Sequence, residues 1–176
     1  MVKRYFLIAL LLGISSNVTG SIDWSSPSTC NIEGSNNLDE IINQMTLRQK
    51  IGQIIMPDIQ YVTPEEAKKY QLGSILNGGG SWPNNKKTST VQDWQNLSKA
   101  YYDASPVIGD QIVPIIWGTD AVHGHSNVIG ATVFPHNIGI GATQDTDLIK
   151  RIAGVVAKEV LSTGIVWTFA PTITVP

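Results

Sequence analysis

An apolar run that ends in a cluster of polar residues is the feature that most constrains this chain. Residues 113–118 read Val-Pro-Ile-Ile-Trp-Gly, and Asp120, His123, Gly124 and His125 follow closely. Such a run is typical of a buried parallel strand, and binding sites in α/β enzymes lie at the carboxyl ends of these strands. The segment therefore predicts a site at one edge of a sheet.

Two further segments, at residues 73–77 and 165–170, are interpreted as strands, the first of them short and buried. Stretches with helical spacing of apolar residues separate them from the strand at 113–118. Strands that alternate with helices form a parallel sheet, so we expect about three βα units of an α/β protein. The spacing suits a (β/α)8 barrel with enlarged loops and, almost equally well, a doubly wound sheet. The expected helices cover residues 38–45, 46–56, a segment that begins after Thr63, 91–103 and 146–162.

Capping signals indicate where several of these helices begin. Thr46 and Thr63 each precede a residue at the capping-box position, and Asp145 can cap the long helix over residues 146–162. Pro57 ends the helix that Thr46 begins. The apolar face of that helix is expected to contain Ile51, Ile54 and Ile55.

The N-terminus is typical of an export signal. Lys3 and Arg4 precede ten apolar residues, and small polar residues then lead to Gly20. The apolar run is shorter than the roughly 20 residues that span a bilayer, so no membrane span is expected in the mature chain. We therefore predict a signal peptide over residues 1–20, a leader segment over 21–37 and export to the periplasm or the exterior. A buried N-terminal strand is the alternative.

Composition argues against several classes of partner. Charged residues make up 15% of the 176 residues, the net charge is −2, and no long basic run is present. Nucleic acid is therefore not an expected partner. Cys30 is the only cysteine, so the chain cannot form an internal disulfide.

Asp120 is the strongest candidate for a binding residue. It lies two residues beyond the apolar run, where a side chain leaves the sheet and meets a ligand. A carboxylate there can accept charge-assisted hydrogen bonds from two neighbouring hydroxyls of a sugar. An aspartate that forms a turn or caps a helix is an equally good interpretation from position alone.

His123 and His125 form a His-x-His pair, a pattern that can hold zinc in barrel hydrolases. The pair lies several residues beyond the strand, and Asp120 is the only acidic side chain close to it in sequence. Structural or substrate-facing histidines are therefore the favoured interpretation, for His136 as well. No metal or other cofactor is expected.

The glycine-rich segment Asn77-Gly78-Gly79-Gly80-Ser81 could bind phosphate. It lacks the lysine and the helix that follow the glycines of a phosphate-binding loop, so a wide ordinary loop is favoured. Trp82 follows it and could provide a platform on which a sugar stacks, although most tryptophans fill protein cores.

Taken together, three blocks of sequence resemble glycoside hydrolase family 3, in particular its β-glucosidase and exo-β-glucanase branch. The blocks are Trp-Gly-Thr-Asp-Ala-Val-His-Gly at 117–124, Gly-Ala-Thr-Val-Phe-Pro-His-Asn-Ile-Gly-Ile-Gly-Ala-Thr at 130–143, and Phe-Ala-Pro at 169–171. The resemblance extends over residues 38–176.

The resemblance implies a (β/α)8 barrel that releases terminal β-D-glucose from β-glucosides or glucan oligosaccharides with retention of configuration. It implies that Asp120 binds hydroxyls of the non-reducing glucose. It also implies that His123, Gly124 and His136 organise the loop of the site rather than bind a metal.

The chain departs from the family pattern after the Phe-Ala-Pro block. Family members continue with an arginine-rich motif, a Lys-His pair and the nucleophile in a Ser-Asp-Trp motif, and their acid/base usually lies in a second domain. None of these motifs occurs here, so we expect no catalytic residue in this chain. Residues 38–176 are then the N-terminal part of the barrel, truncated and inactive alone. The alternatives are a non-catalytic sugar-binding module and a zinc hydrolase that uses His123 and His125.

Overall fold

The computed structural model describes residues 35–172. The predicted signal peptide over residues 1–20 and nearly all of the leader segment over 21–37 lie outside the described residues. Helix α1 already begins at Ser35, within the predicted leader. None of the described helices is long and apolar enough to cross a membrane.

Helices separate the three strands of the parallel sheet, as the sequence predicts for an α/β protein. A single turn of 3-10 helix covers Pro83–Asn85. The elements in chain order are α1 Ser35–Gln44, α2 Leu47–Gln53, α3 Pro64–Tyr70, β1 Ser74–Asn77, α4 Val91–Asp103, β2 Val107–Ile108, β3 Gln111–Ile112, β4 Ile116–Thr119, α5 Asn137–Ala142, α6 Thr146–Ser162 and β5 Trp167–Thr168.

Strands β1, β4 and β5 form one parallel sheet with β4 in the centre. Asn77 at the end of β1 pairs with Thr119 at the end of β4, and Thr119 in turn pairs with Thr168. The carboxyl ends of all three strands therefore meet at one edge. On the outer side of β1, Asp58 forms an isolated parallel bridge to Leu76.

The three predicted strands are present, but two boundaries differ. Strand β5 contains only Trp167–Thr168, whereas the apolar run covers residues 165–170. The run beginning at residue 113 enters the sheet only at Ile116, because a two-stranded antiparallel hairpin, β2 and β3, precedes it. The hairpin turns at Gly109, whose φ is +58°.

Capping residues begin several of the helices. Thr46 and Thr63 form complete capping boxes at the predicted positions, and Thr90 forms a third. The Asp145 carboxylate accepts a hydrogen bond from the Leu148 amide, as expected for the cap of α6. These side chains satisfy amide groups that have no partner within the first turn of a helix.

Aromatic residues dominate the core beneath the sheet. Trp94 of α4 is completely buried, and its ring centroid lies 5.9 Å from that of Trp117 of β4. Tyr101 packs edge-on against Trp117 at 5.6 Å. Helix α4 therefore covers β4 through large side chains that fix its position relative to the strand.

The helix expected to continue to Pro57 ends at Gln53, so Ile54 and Ile55 of the expected apolar face lie beyond it. Ile54 is 84% exposed, and Ile51 and Ile55 are each close to half exposed. Helical spacing identifies the apolar face of a helix, but it does not identify the element that covers it.

Candidate functional site

Asp120 lies at the carboxyl edge of the sheet, directly after β4. Its amide donates a hydrogen bond of 3.4 Å to the carbonyl of Asn77, the last residue of β1. The side chain is half-buried, and none of the described residues donates a hydrogen bond to its carboxylate. Both oxygens of this carboxylate can therefore accept hydrogen bonds from a ligand.

The loop after β1, residues 78–81, lies beside Asp120. We call it the glycine loop. Asp120 Oδ2 is 3.9 Å from the position that a Cβ on Gly78 would occupy, and Asp58 Oδ2 is 3.8 Å from the same position. Two carboxylates therefore flank Gly78, and their hydrogen-bond environments differ.

Both carboxylate oxygens of Asp58 accept hydrogen bonds from described residues, in contrast to those of Asp120. Its Oδ2 accepts hydrogen bonds from the Gly78 amide at 3.0 Å and from the Ser81 hydroxyl at 2.7 Å. Its Oδ1 accepts a bond of 2.8 Å from the Gln60 amide. Asp58 is thus a structural carboxylate that contacts both ends of the glycine loop.

Two amide side chains hold the same loop. Gln60 Nε2 donates to the Gly80 carbonyl at 2.6 Å and to Ser81 Oγ at 2.8 Å. Asn127 Nδ2 donates to the Gly78 carbonyl at 2.8 Å from a nearly buried position. The glycine loop is therefore fixed by side chains that come from both sides of it in the sequence.

Beneath the loop, β1 and β4 are joined by a buried hydrogen bond. Trp117 Nε1 donates to Asn77 Oδ1 at 2.8 Å, and both side chains lie in the core. Tyr101 packs against Trp117 and donates from its hydroxyl to the Val62 carbonyl at 2.6 Å. Burial raises the pKa of Tyr101 well above its usual value, so this phenol stays neutral and structural.

His123, Gly124 and His136 lie together on the loop that follows Asp120. The ring centroids of His123 and His136 are 5.4 Å apart, and the Phe134 amide donates to the His123 carbonyl at 2.9 Å. His136 Nδ1 accepts from the Ile138 amide at 3.2 Å and caps α5. A scaffolding role for these residues remains a prediction.

Glu159 of α6 anchors the same loop from the helix side. Its carboxylate accepts from both the amide and the hydroxyl of Thr132, at 3.0 Å and 2.8 Å. The Thr132 carbonyl faces Gly124, so Glu159 holds the segment against which Gly124 packs.

The His125 side chain is buried in the core, whereas that of His123 is only partly buried. Its Nε2 lies 3.0 Å from Thr163 Oγ1, and that hydroxyl donates to the Val160 carbonyl at 2.6 Å. The imidazole therefore donates to Thr163 through Nε2. Burial lowers the pKa of His125 to about 4, which keeps the ring neutral.

His123 and His125 contact different parts of the fold, so the predicted zinc site that would use both has no support. His125 is buried beside Trp94, with ring centroids 5.8 Å apart, whereas His123 contacts His136. Within residues 35–172, no group of three or more histidine, cysteine, aspartate or glutamate side chains could hold a metal ion.

Trp82 lies at the end of the glycine loop, half-buried against the core. Lys87 Nζ lies 5.9 Å from the centroid of its ring, a distance compatible with a cation–π contact. Stacking of a sugar on Trp82 remains a prediction.

Sequence reasoning did not identify Asp58, Gln60, Asn127 or Glu159. Asp58 lies far from β1 in sequence and reaches it only through the bridge to Leu76. An acid directly after Pro57 was the available signal, but by itself it predicts only a turn.

The fold is that of the first part of a TIM-barrel-type α/β enzyme, with the glycine loop and Asp120 at the edge where such enzymes bind their substrates. The chain belongs to glycosyl hydrolase family 3, because residues 46–176 match the N-terminal domain of that family.

Known glycosidases are similar to this chain. The lysosomal beta glucosidase of Dictyostelium discoideum is 31% identical over 150 residues, which cover 76% of this chain and 18% of that protein. The periplasmic beta-glucosidase of Salmonella typhimurium is 27% identical over 141 residues, covering 77% of this chain and 16% of that protein.

A solved structure is more similar still in sequence. The exo-1,3/1,4-beta-glucanase of a Pseudoalteromonas species is 48% identical, with a TM-score of 0.74, over 80% of this chain and 18% of that one. The chain thus spans less than a fifth of the length of these relatives.

Proposed function

We propose that the protein to which this chain belongs hydrolyses terminal β-D-glucosidic bonds of β-glucosides or glucan oligosaccharides with retention of configuration. The observation that carries the proposal is the half-buried carboxylate of Asp120 at the carboxyl edge of the sheet, to which none of the described residues donates a hydrogen bond. Relatives named as beta glucosidases and as an exo-1,3/1,4-beta-glucanase support the choice of substrate.

In this proposal Asp120 accepts hydrogen bonds from neighbouring hydroxyls of the terminal glucose. Hydrogen bonds to an ionised carboxylate are roughly twice as strong as neutral ones, and two bonds to adjacent hydroxyls fix the orientation of the ring. His123, Gly124 and His136 hold the loop that carries Asp120. This segment therefore binds and orients the sugar.

The bond-breaking groups come from outside this segment. Retaining hydrolysis requires a nucleophilic carboxylate and an acid/base carboxyl about 5 Å apart. Asp58 and Asp120 are unsuited to form that pair, because the Asp58 oxygens already accept three hydrogen bonds. We therefore propose that the chain alone is inactive, and turnover of an aryl β-glucoside by the purified chain would overturn this.

Replacement of Asp120 in the full-length protein tests the substrate-binding role. Asp120→Asn preserves shape but removes the charge, so we expect kcat/KM for an aryl β-glucoside to fall by about 100-fold or more. Asp110→Asn is the matched control, because Asp110 is an exposed carboxylate in the β2–β3 hairpin. An unchanged kcat/KM in Asp120→Asn removes Asp120 from the site.

A sugar-binding module without catalysis is the second candidate, and the same free carboxylate favours it. Calorimetric titration with laminaribiose, combined with an assay of the full-length protein on an aryl β-glucoside, distinguishes the two functions, because both predict binding and only the glucosidase predicts hydrolysis. Binding by the chain that persists in a full-length protein without glucosidase activity would favour the module.

We further propose that residues 1–20 direct export. The periplasmic and lysosomal relatives support a location outside the cytoplasm. N-terminal sequencing of the mature protein is expected to begin at Ser21, and a mature protein that retains Met1 would contradict this.

A further inference from the structure

The glycine loop is held by a single carboxylate that bonds to both of its ends. Asp58 Oδ2 accepts from the Gly78 amide and from the Ser81 hydroxyl, while the Ser81 amide donates to the Gly78 carbonyl at 3.2 Å. Gln60, two residues after Asp58, bonds to Gly80 and Ser81. The shape of the loop therefore depends on a segment that lies before α3.

The middle of the glycine loop faces open space. Apart from the glycine itself and its two chain neighbours, no described residue has an atom within 4 Å of the position that a Cβ would take on Gly79 or on Gly80. Neither residue has a positive φ, so the backbone conformation does not require glycine there. Glycine also serves where a ligand approaches the backbone closely, and this use fits the exposed position of both residues.

The first residue of the glycine loop is next to the Asp120 carboxylate. Gly78 lies between the Asp58 and Asp120 carboxylates, so a shift of its peptide changes the space beside Asp120. Asn127 fixes the carbonyl of the same residue, and Asp58 fixes its amide. A sugar held by Asp120 would therefore meet the glycine loop as the second wall of its pocket.

We propose that Asp58 is a positioning residue of the sugar site, and that it holds the glycine loop as a wall facing the glucose bound by Asp120. Gly79 and Gly80 leave the room that the sugar ring occupies. This inference rests on the proposed function, because it assigns a role in the same site. Asp58 acts through the loop and does not touch the substrate.

The test compares Asp58→Asn, Asp58→Glu and Asp110→Asn in the full-length protein, with an aryl β-glucoside as substrate. Asparagine has one accepting oxygen where aspartate has two, so it cannot keep all the bonds from Gln60, Gly78 and Ser81. We expect KM to rise about tenfold with a smaller change in kcat, because a displaced wall weakens binding of the ground state and the transition state alike. Asp58→Glu retains an accepting carboxylate and is expected to restore part of the affinity.

A purely structural role gives a different result. In that case Asp58→Asn lowers the thermal midpoint but leaves KM and kcat of the folded protein unchanged, and the proposal is overturned. Gly79→Ala keeps the test decisive if Asp58→Asn does not fold. The added methyl group contacts no described residue other than its chain neighbours, so the thermal midpoint should stay constant while KM rises. An unchanged KM would also overturn the proposal.

The Asp120→Asn variant separates this inference from the proposed function. If Asp120→Asn lowers kcat/KM and Asp58→Asn does not change KM, only the positioning role fails. If Asp120→Asn has no effect, the sugar site itself is misplaced. In the double variant we expect a less than additive loss, since residues that share one site couple with each other.

Discussion

Gly124 is fixed both by its backbone angle and by the atoms around it. Its φ is +79°, and a Cβ there would lie 2.1 Å from the Thr132 carbonyl oxygen. We expect Gly124→Ala to lower the free energy of unfolding by about 3 kcal/mol or more, because backbone strain adds to a clash in a packed region. Urea denaturation followed by tryptophan fluorescence measures this loss.

Gly130 provides the matched control. Its φ is +89°, yet no described atom lies within 4 Å of a Cβ at that position. Gly130→Ala should therefore show the strain alone, about 1 kcal/mol. Equal losses in the two variants would mean that contact with Thr132 contributes nothing.

His125 should make stability depend on pH. Burial lowers its pKa in the folded chain to about 4, against an ordinary value of 6.5, while the nearby Glu159 carboxylate acts weakly in the opposite direction. Between these values the unfolded chain binds a proton that the folded chain does not. Stability is therefore expected to decrease as pH falls through this window, by up to about 3 kcal/mol.

The pH effect is measured by urea denaturation at several pH values in the wild type and in His125→Gln. The variant lacks the titrating group, so its stability should change less between pH 6.5 and about 4. An NMR titration in which the His125 ring of the folded chain becomes protonated near pH 6.5 would contradict the expectation.

At the scale of residues, the sequence predicts a candidate site residue when an apolar strand ends directly before it. The position of Asp120 follows from the apolar run before it, and the structure places it at the carboxyl edge of β4. Asp58 has no comparable signal, because its bonds to Gly78 and Ser81 depend on a tertiary bridge. Such long-range contacts are not encoded in local pattern.

At the scale of elements, capping contributes measurably to the short helix α3. Thr63 Oγ1 accepts from the Glu66 amide at 3.2 Å, and the Glu66 carboxylate accepts from the Thr63 amide at 2.9 Å. Thr63→Ala should lower the free energy of unfolding by about 1 kcal/mol, since the amide loses its partner. Thermal or urea unfolding measures the loss.

Thr88→Ala serves as the control for the cap. Thr88 is exposed in the loop before α4, and none of the described residues hydrogen-bonds to its side chain. A change close to zero is expected there. If Thr63→Ala is equally neutral, the capping box of α3 does not stabilise the fold.

Elements with strong local signals were predicted well, and those without such signals were missed. Helices Val91–Asp103 and Thr146–Ser162 have a capping residue and several turns of amphipathic sequence, and their predicted bounds are confirmed. Helix Asn137–Ala142 contains two glycines and is capped by His136, so neither propensity nor a common cap marks it. The hairpin strands have two residues each, too few for a periodic pattern.

At the scale of the whole molecule, the two sides of the parallel sheet are unequal. The segment around Asp58 bridges the outer side of β1. There the Ile59 amide donates to the Leu76 carbonyl at 2.9 Å, and the Leu76 amide donates to the Pro57 carbonyl at 3.0 Å. No described strand pairs with the outer side of β5, and Val166, which precedes β5, is 65% exposed.

This open side predicts self-association of the isolated chain. Unpaired strand edges flanked by apolar side chains pair readily with other chains. Sedimentation velocity should show association that increases with concentration, and Val166→Lys should reduce it by placing a charge beside the edge. A wild-type chain that stays monomeric at every concentration would show that the edge is protected.

The groups that form hydrogen bonds with the glycine loop are all synthesised before the last helices and strand of the described chain. The bonds join Asp58, Gln60, the loop itself and Asn127, so all of them lie within a continuous stretch of chain that ends before α5 begins. Once Asn127 has emerged from the ribosome, every group that bonds to the glycine loop is available for folding. None of these bonds uses a group from β5, so the proposed wall can form during synthesis without that strand.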